Sequence, residues 1–203
     1  MILAPEAFKI LIPVAFVTGL LTLMSPTVLY PGIFLLLFTA FFFRSPKRIC
    51  PAAANTLYSP ADGKVITVES TQMEGQDYWH LQIFLSVFNC HINRMPIAGE
   101  VISSTFVPGK FKMAFDKGIE TENQRQESWL NTQIGKIKMV QITGFIARRI
   151  ACSLNPGMKL AIGQKFGLIY FGSRTDLYIP KSCTMQVKAG QKLKAGLTAV
   201  ATY

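Results

Sequence analysis

The sequence predicts a mainly β fold, a single β-sandwich or half-barrel catalytic domain preceded by a hydrophobic helical hairpin. Three observations carry this reading: an uncharged apolar stretch over residues 10–43, short period-2 runs after Pro51, and frequent Gly, Pro and Asp punctuation between those runs. A chain of 203 residues can bury one sizeable core with an appended segment, placed here at 49–203 and 1–48.

The apolar stretch comes first. As one helix, residues 10–43 would reach about 50 Å, well past the roughly 30 Å hydrocarbon core of a bilayer. Ser25-Pro26-Thr27 and Tyr30-Pro31-Gly32 divide it into arms of about 15 and about 11 residues, each short for a span. A hairpin that enters the membrane and returns fits both the lengths and the breakers. The basic flank Arg44-Ser45-Pro46-Lys47-Arg48 places the exit and the following domain on the cytoplasmic face of the cell membrane. The competing readings are a single tilted span and a cleaved signal peptide; against the latter, the apolar run continues far past a normal h-region and lacks a clean small-residue cleavage site.

The formal charge of +10 calls for an anionic partner. No zinc-finger spacing, aromatic RNA-binding signature or basic recognition helix is present, so lipid is favoured and nucleic acid is not. Cys50, Cys90, Cys152 and Cys183 form no CxxC pair and no metal-ligand spacing, and are expected as reduced thiols.

After Pro51, Asp62-Gly63 reads as a turn and residues 65–68 as a strand. Leu81, Ile83, Leu85 and Val87 alternate with Gln82, Phe84, Ser86 and Phe88, the pattern of a strand buried on one face. Residues 136–142 and 157–162 look similar. Residues 112–129, polar and rich in Gln and Glu, read as a helix or as a loop over the site. The stretch 185–196 resembles the turn of a biotinyl or lipoyl hammerhead.

One strand run, residues 166–180, is interrupted by Gly172-Ser173. Glycine there leaves its carbonyl unshielded and tolerates a bent backbone, so the Ser173 hydroxyl can attack the preceding carbonyl and convert amide to ester. Elimination and hydrolysis would then leave a pyruvoyl group at position 173. Around this dipeptide stand Asp62 at its turn, His91 at a strand end suited to proton transfer, and the pair Arg148 and Arg149, able to hold a phosphate or carboxylate. His80, in the aromatic run before the best strand, is expected as a packed or surface residue. Two other readings are open to these residues: a membrane-anchored hammerhead-like binding module without catalysis, and a membrane serine hydrolase using Ser173.

Six motifs occur in an order that resembles the short, prokaryotic branch of the phosphatidylserine decarboxylases, from about Phe41 to the C-terminus. They are Arg44-Ser45-Pro46-Lys47-Arg48, Ser59-Pro60-Ala61-Asp62-Gly63, His91-Ile92-Asn93-Arg94, Val107-Pro108-Gly109-Lys110-Phe111, Gly144-Phe145-Ile146-Ala147-Arg148-Arg149 and Phe171-Gly172-Ser173-Arg174-Thr175-Asp176. The resemblance implies a lyase cut by its own chemistry between Gly172 and Ser173, giving a β chain (1–172) and an α chain (173–203) that begins with the pyruvoyl cofactor. It implies phosphatidylserine as substrate, joined through a Schiff base, and phosphatidylethanolamine as product. Ser173 is then the attacking hydroxyl, His91 the base, Asp62 the group that orients or charges the imidazole, and Arg148 and Arg149 the phosphate contacts. Two positions depart from the family pattern: longer members carry a second histidine where Arg94 stands, and relatives carry Asn-Glu-Arg where this chain has Asn123-Gln124-Arg125.

Overall fold

A computed structural model of the chain describes residues 2–51, 53–113, 118–145 and 149–203. It divides into two compact units, Met1–Lys47 and Arg48–Tyr203.

The first unit is the expected hairpin. A 3-10 turn, Pro5–Ala7, leads into α1 (Phe8–Met24), and a second, Pro26–Val28, leads into α2 (Leu29–Phe42). The break falls at Ser25, whose extended backbone ends α1. Pro31 and Gly32, expected to interrupt the chain, lie instead in the first turn of α2. A first-turn N–H has no intrahelical acceptor, so proline costs little there. Gly32 is needed for packing, since a Cβ at that position would stand 2.1 Å from Thr18 Cγ2 of α1. The two ends of the unit lie side by side: Ala4 N donates to Phe43 O at 2.9 Å and Ser45 N to Ile2 O at 2.7 Å. The first arm is also longer than the uncharged run suggested, because the helical path begins upstream of Ile10. Pro5–Met24 spans 20 residues at a mean hydropathy of 2.0, long and apolar enough to cross a bilayer.

The second unit is built from antiparallel strands: β1 (Thr56–Tyr58), β2 (Gly63–Met73), β3 (Gln76–Leu85), β4 (Ile92–Arg94), β5 (Gly99–Val107), β6 (Arg125–Thr132) and β7 (Gly135–Thr143). There follow β8 (Ile150–Cys152), β9 (Lys159–Leu160), β10 (Lys165–Ile169), β11 (Ser173–Pro180), β12 (Thr184–Met185), β13 (Lys192–Leu193) and β14 (Ala199–Thr202). One helical turn, α3 (Ile119–Glu122), precedes β6. Eight strands form the main sheet in the order β13-β2-β3-β11-β7-β6-β5-β9, a curled half-barrel; β1-β14-β12 and β4-β10-β8 form two small sheets. The main core packs Leu81, Ile83, Leu85, Leu130, Ile137 and Leu177 with Leu57, Phe166 and Val200 from the small sheets.

The period-2 run at 81–88 is a strand only to Leu85. Beyond it Asn89 Oδ1 accepts hydrogen bonds from Ser86 N and Ser86 Oγ, both at 2.9 Å, and turns the chain. Residues 157–162 supply only the two-residue β9. In the region 112–129, residues 119–122 are helical but 125–129 belong to β6, paired on both edges. Its polar side chains find partners on the sheet: Glu127 meets Arg125 at 2.5 Å and Lys138 of β7 at 2.7 Å.

Candidate active site

Ser173 opens β11, the strand at the middle of the large sheet, standing opposite Leu85 of β3 and Thr143 of β7. Cross-strand partners share a face, so Ser173 and Thr175 point with Leu81, Ile83 and Leu85 into the core. The apolar core thus becomes polar at one end. Ser173 is fully buried, and its Oγ has no hydrogen-bond partner among the described residues. A buried hydroxyl without a partner costs about 1–3 kcal/mol, a penalty that stability alone does not explain.

The backbone leading to it is strained. Phe171 has φ +39 and Gly172 φ +64, two consecutive left-handed residues, of which the first carries a side chain. A non-glycine residue in that region costs on the order of 1–2 kcal/mol. Among the described residues nothing lies within 4 Å of where a Gly172 Cβ would stand, so the glycine serves the backbone angle rather than a close contact.

His91 precedes β4 and is fully buried. Its carbonyl accepts from Ile169 N at 3.3 Å, tying it to the strand that leads to the Gly172 turn. Nδ1 lies 3.0 Å from the carbonyl of Asn89. A carbonyl only accepts, so Nδ1 carries the proton and Nε2 is the basic nitrogen of the neutral ring. Next to His91, three polar side chains join β4, β7 and β11: Gln141 Nε2 donates to Asn93 Oδ1 at 2.8 Å, and Asn93 Nδ2 to Thr175 Oγ1 at 3.2 Å. Gly167 lets this network in, since a Cβ there would meet Gln141 Nε2 at 2.8 Å.

Asp62 is buried at its turn. Its oxygens receive Arg48 Nη1 at 2.5 Å, Arg48 Nη2 at 2.8 Å and Ala195 N at 2.7 Å. The hydrogen bonds that Arg48 donates to Asp62 raise its guanidinium above the ordinary value against the pull of burial. Asp62 therefore joins the turn at 59–63 to the C-terminal segment, while the imidazole nitrogen Nδ1 is oriented by Asn89. Arg94, at the position of the second family histidine, donates from Nη1 to Gly163 O at 3.0 Å; burial, then the nearby Arg48 charge, lowers its pKa. Arg149 is exposed, and its carbonyl accepts from Tyr170 N at 3.1 Å, so it stands beside the Gly172 turn. Arg148 lies outside the described residues. The four cysteines are free thiols, two buried and two half-buried.

Sequence reasoning missed the opposite face of β11. Asp176 is fully buried and receives Arg174 Nε and Nη2, both at 2.7 Å, and His80 Nε2 at 2.8 Å. The His80 ring stacks on Tyr178 at 4.1 Å, and Arg174 also meets Glu120 at 3.2 Å. His80 is thus packed, as expected, but as one member of an ion cluster. The available signal was its place in β3: it alternates with Leu81 onto the face that carries Arg174 and Asp176.

A family model described as phosphatidylserine decarboxylase matches residues 35–201. The chain is 42% identical over 165 residues to a phosphatidylserine decarboxylase proenzyme of Chlorobaculum parvum, covering 80% of this chain and 77% of that one. It is 41% identical over 201 residues to the proenzyme of Geotalea uraniireducens, covering 97% and 94% respectively. A third, from Chlorobium limicola, is 41% identical over 182 residues, covering 89% and 86%.

Proposed function

Since the chain belongs to the phosphatidylserine decarboxylase family, we propose that its catalytic centre is the polar end of the core around Ser173, with His91 as base and Asp62 and Gly172 in support. The reaction is decarboxylation of phosphatidylserine to phosphatidylethanolamine, and the cofactor is a pyruvoyl group made from the chain itself.

The observation that carries the assignment of residues is the orphaned, buried Ser173 Oγ directly after two left-handed residues. These residues fit the group. In maturation, Oγ adds to the Gly172 carbonyl carbon while Nε2 of His91 takes its proton; the C–N bond then breaks and the amine of Ser173 recovers a proton, giving the ester. Loss of the Ser173 Cα proton with departure of the Gly172 carboxylate cuts the chain, and water replaces the resulting imine nitrogen, which leaves as ammonia. Gly172 permits the left-handed turn that exposes the carbonyl. Asp62 balances Arg48 and fixes residue 195 of the small chain against the turn at 59–63.

In turnover, the pyruvoyl group supplies a carbonyl that accepts the electron pair released with carbon dioxide. His91 returns a proton to the substrate carbon. Arg149 is the candidate phosphate contact, with Arg148 as its neighbour in sequence. The buried core face excludes water from the reacting carbon. Two chains, 1–172 and 173–203, remain together as the working enzyme. The hairpin holds it at the cell membrane, and the basic exit flank places the catalytic domain on the cytoplasmic side.

Ser173→Ala is the deciding experiment. The variant should run as one 22.5 kDa chain and be inactive, whereas the parent gives two fragments, the smaller with a blocked N-terminus. An active parent with its 172–173 bond intact overturns the assignment.

A further inference from the structure

Beside the catalytic end of the sheet three lysines converge without acidic partners. β13 pairs with β2 so that Lys192 stands directly opposite Lys64, and β2 sets Lys64 opposite Phe84 of β3. Like charges directly opposed on neighbouring strands are destabilising. Such a pair is informative when nothing nearby neutralises it. Lys64, Lys192 and Lys194 are all exposed, and their ammonium groups make no ion pair among the described residues. Asp62 reaches the same groove, but its oxygens are held by Arg48 and Ala195.

The groove has a volume of about 580 Å³ and is lined by Lys64, Phe84, Phe88, Lys192, Leu193 and Lys194 among others. Phe88 is 69% exposed and sits on the turn after β3, next to Asn89, whose carbonyl holds the His91 ring. Phe145, 62% exposed, follows the end of β7. Both β3 and β7 end opposite Ser173, so the two exposed aromatics flank the scissile bond at one end of the sheet.

We propose that this groove and its aromatic rim are a docking surface for the anionic phospholipids of the bilayer, distinct from the hairpin, that sets the catalytic domain down on the membrane beside its reaction centre. The inference rests on the membrane substrate given above. Phosphate groups neutralise the opposed lysines, and Phe88 and Phe145 enter the interfacial layer where aromatic rings are favoured. A small soluble anion would account for the lysines but not for the exposed rings. The surface is shared between the two chains, since Lys64 and Phe88 precede the cut and Lys192 and Lys194 follow it.

The test uses the full-length enzyme on vesicles holding a fixed fraction of phosphatidylserine, with phosphatidylcholine progressively replaced by phosphatidylglycerol. Turnover by the parent should rise with phosphatidylglycerol and fall back with salt. A lysine near an anionic surface contributes about fivefold in partition, so K64Q/K192Q/K194Q removes on the order of 100-fold of docking and flattens the response. On monomeric short-chain phosphatidylserine the triple variant should match the parent. An unchanged phosphatidylglycerol response, or an equal loss on both substrates, overturns the proposal. Phe88→Trp gives a second reading: its added fluorescence, above that of Trp79 and Trp129, should shift to the blue with phosphatidylglycerol vesicles and not with phosphatidylcholine alone. An absent shift overturns it too. Self-cleavage is followed on a gel in each case, and a parent that fails to cut would count against the Ser173 assignment, not against the docking surface.

Discussion

At the scale of single residues, the proposed centre rests on two groups whose surroundings suit them to opposite tasks. Ser173 Oγ is buried with no partner among the described residues, and His91 is held by Asn89 so that Nε2 is its basic nitrogen. His91→Asn keeps a donor at the Nδ1 position for the Asn89 carbonyl but has no basic nitrogen to accept a proton. It should slow self-cleavage by about 10²–10⁴-fold, the range for general-base catalysis, without loss of fold. The check is the rate of fragment appearance from freshly synthesised precursor, with circular dichroism to confirm the fold; cleavage at the parental rate would remove His91 from the role of base. The placement of these two residues at strand ends was legible in the sequence because a Gly-Ser interrupting a strand run and a histidine after an alternating run are local signals. The Asn93–Gln141–Thr175 network was not, since two amides and a hydroxyl from three distant segments meet only through strand register.

At the scale of elements, β11 has two unlike faces, and the buried charges on the outer one hold the strand that begins with Ser173. Burial by itself would push the Asp176 carboxyl up, but hydrogen bonds from His80 and Arg174 and their charges outweigh it and hold the group below the ordinary carboxylate range. A depressed folded-state pKa means that the native chain binds fewer protons than the unfolded one, so the associated stability is fully present above the unfolded value of about 3.9 and is lost as pH falls through the folded one. Asp176→Asn leaves Arg174 buried beside a neutral group and should cost about 3–5 kcal/mol at pH 7. The difference from the parent should narrow once pH drops below about 4. Denaturant titrations from pH 7 to pH 3 decide this, and a gap that stays constant would mean that the carboxylate charge is not what stabilises β11. Element boundaries were less legible than element types. Pro31-Gly32 read as a break because these residues usually are one, yet helix position decided the outcome. Residues 125–129 read as helix or loop because their charges mask the alternation, whereas Arg125, Glu127 and Lys138 satisfy one another across the sheet.

At the scale of the whole molecule, the proposed cut after Gly172 raises the question of what would retain a chain of only 31 residues, the remainder of 203 after 172. The topology answers it. β11 lies between β3 and β7 in the middle of the large sheet, β13 closes on β2, and β14 pairs with β1. Leu177, Ile179, Leu193 and Val200 of the small chain are buried in the same core as Leu57, Leu81 and Ile137 of the large one. The small chain therefore has no core of its own and cannot leave without exposing the shared one. Burying a large aliphatic side chain contributes about 1.5–3 kcal/mol, so these four residues alone put a barrier well above thermal energy in the way of separation. The two fragments should co-purify through native chromatography and dissociate only in the same denaturant transition that removes the β circular dichroism of the large fragment. Elution of the small fragment by itself, before that transition, would show that the cut releases β11 and that the sheet of the working enzyme differs from that of its precursor.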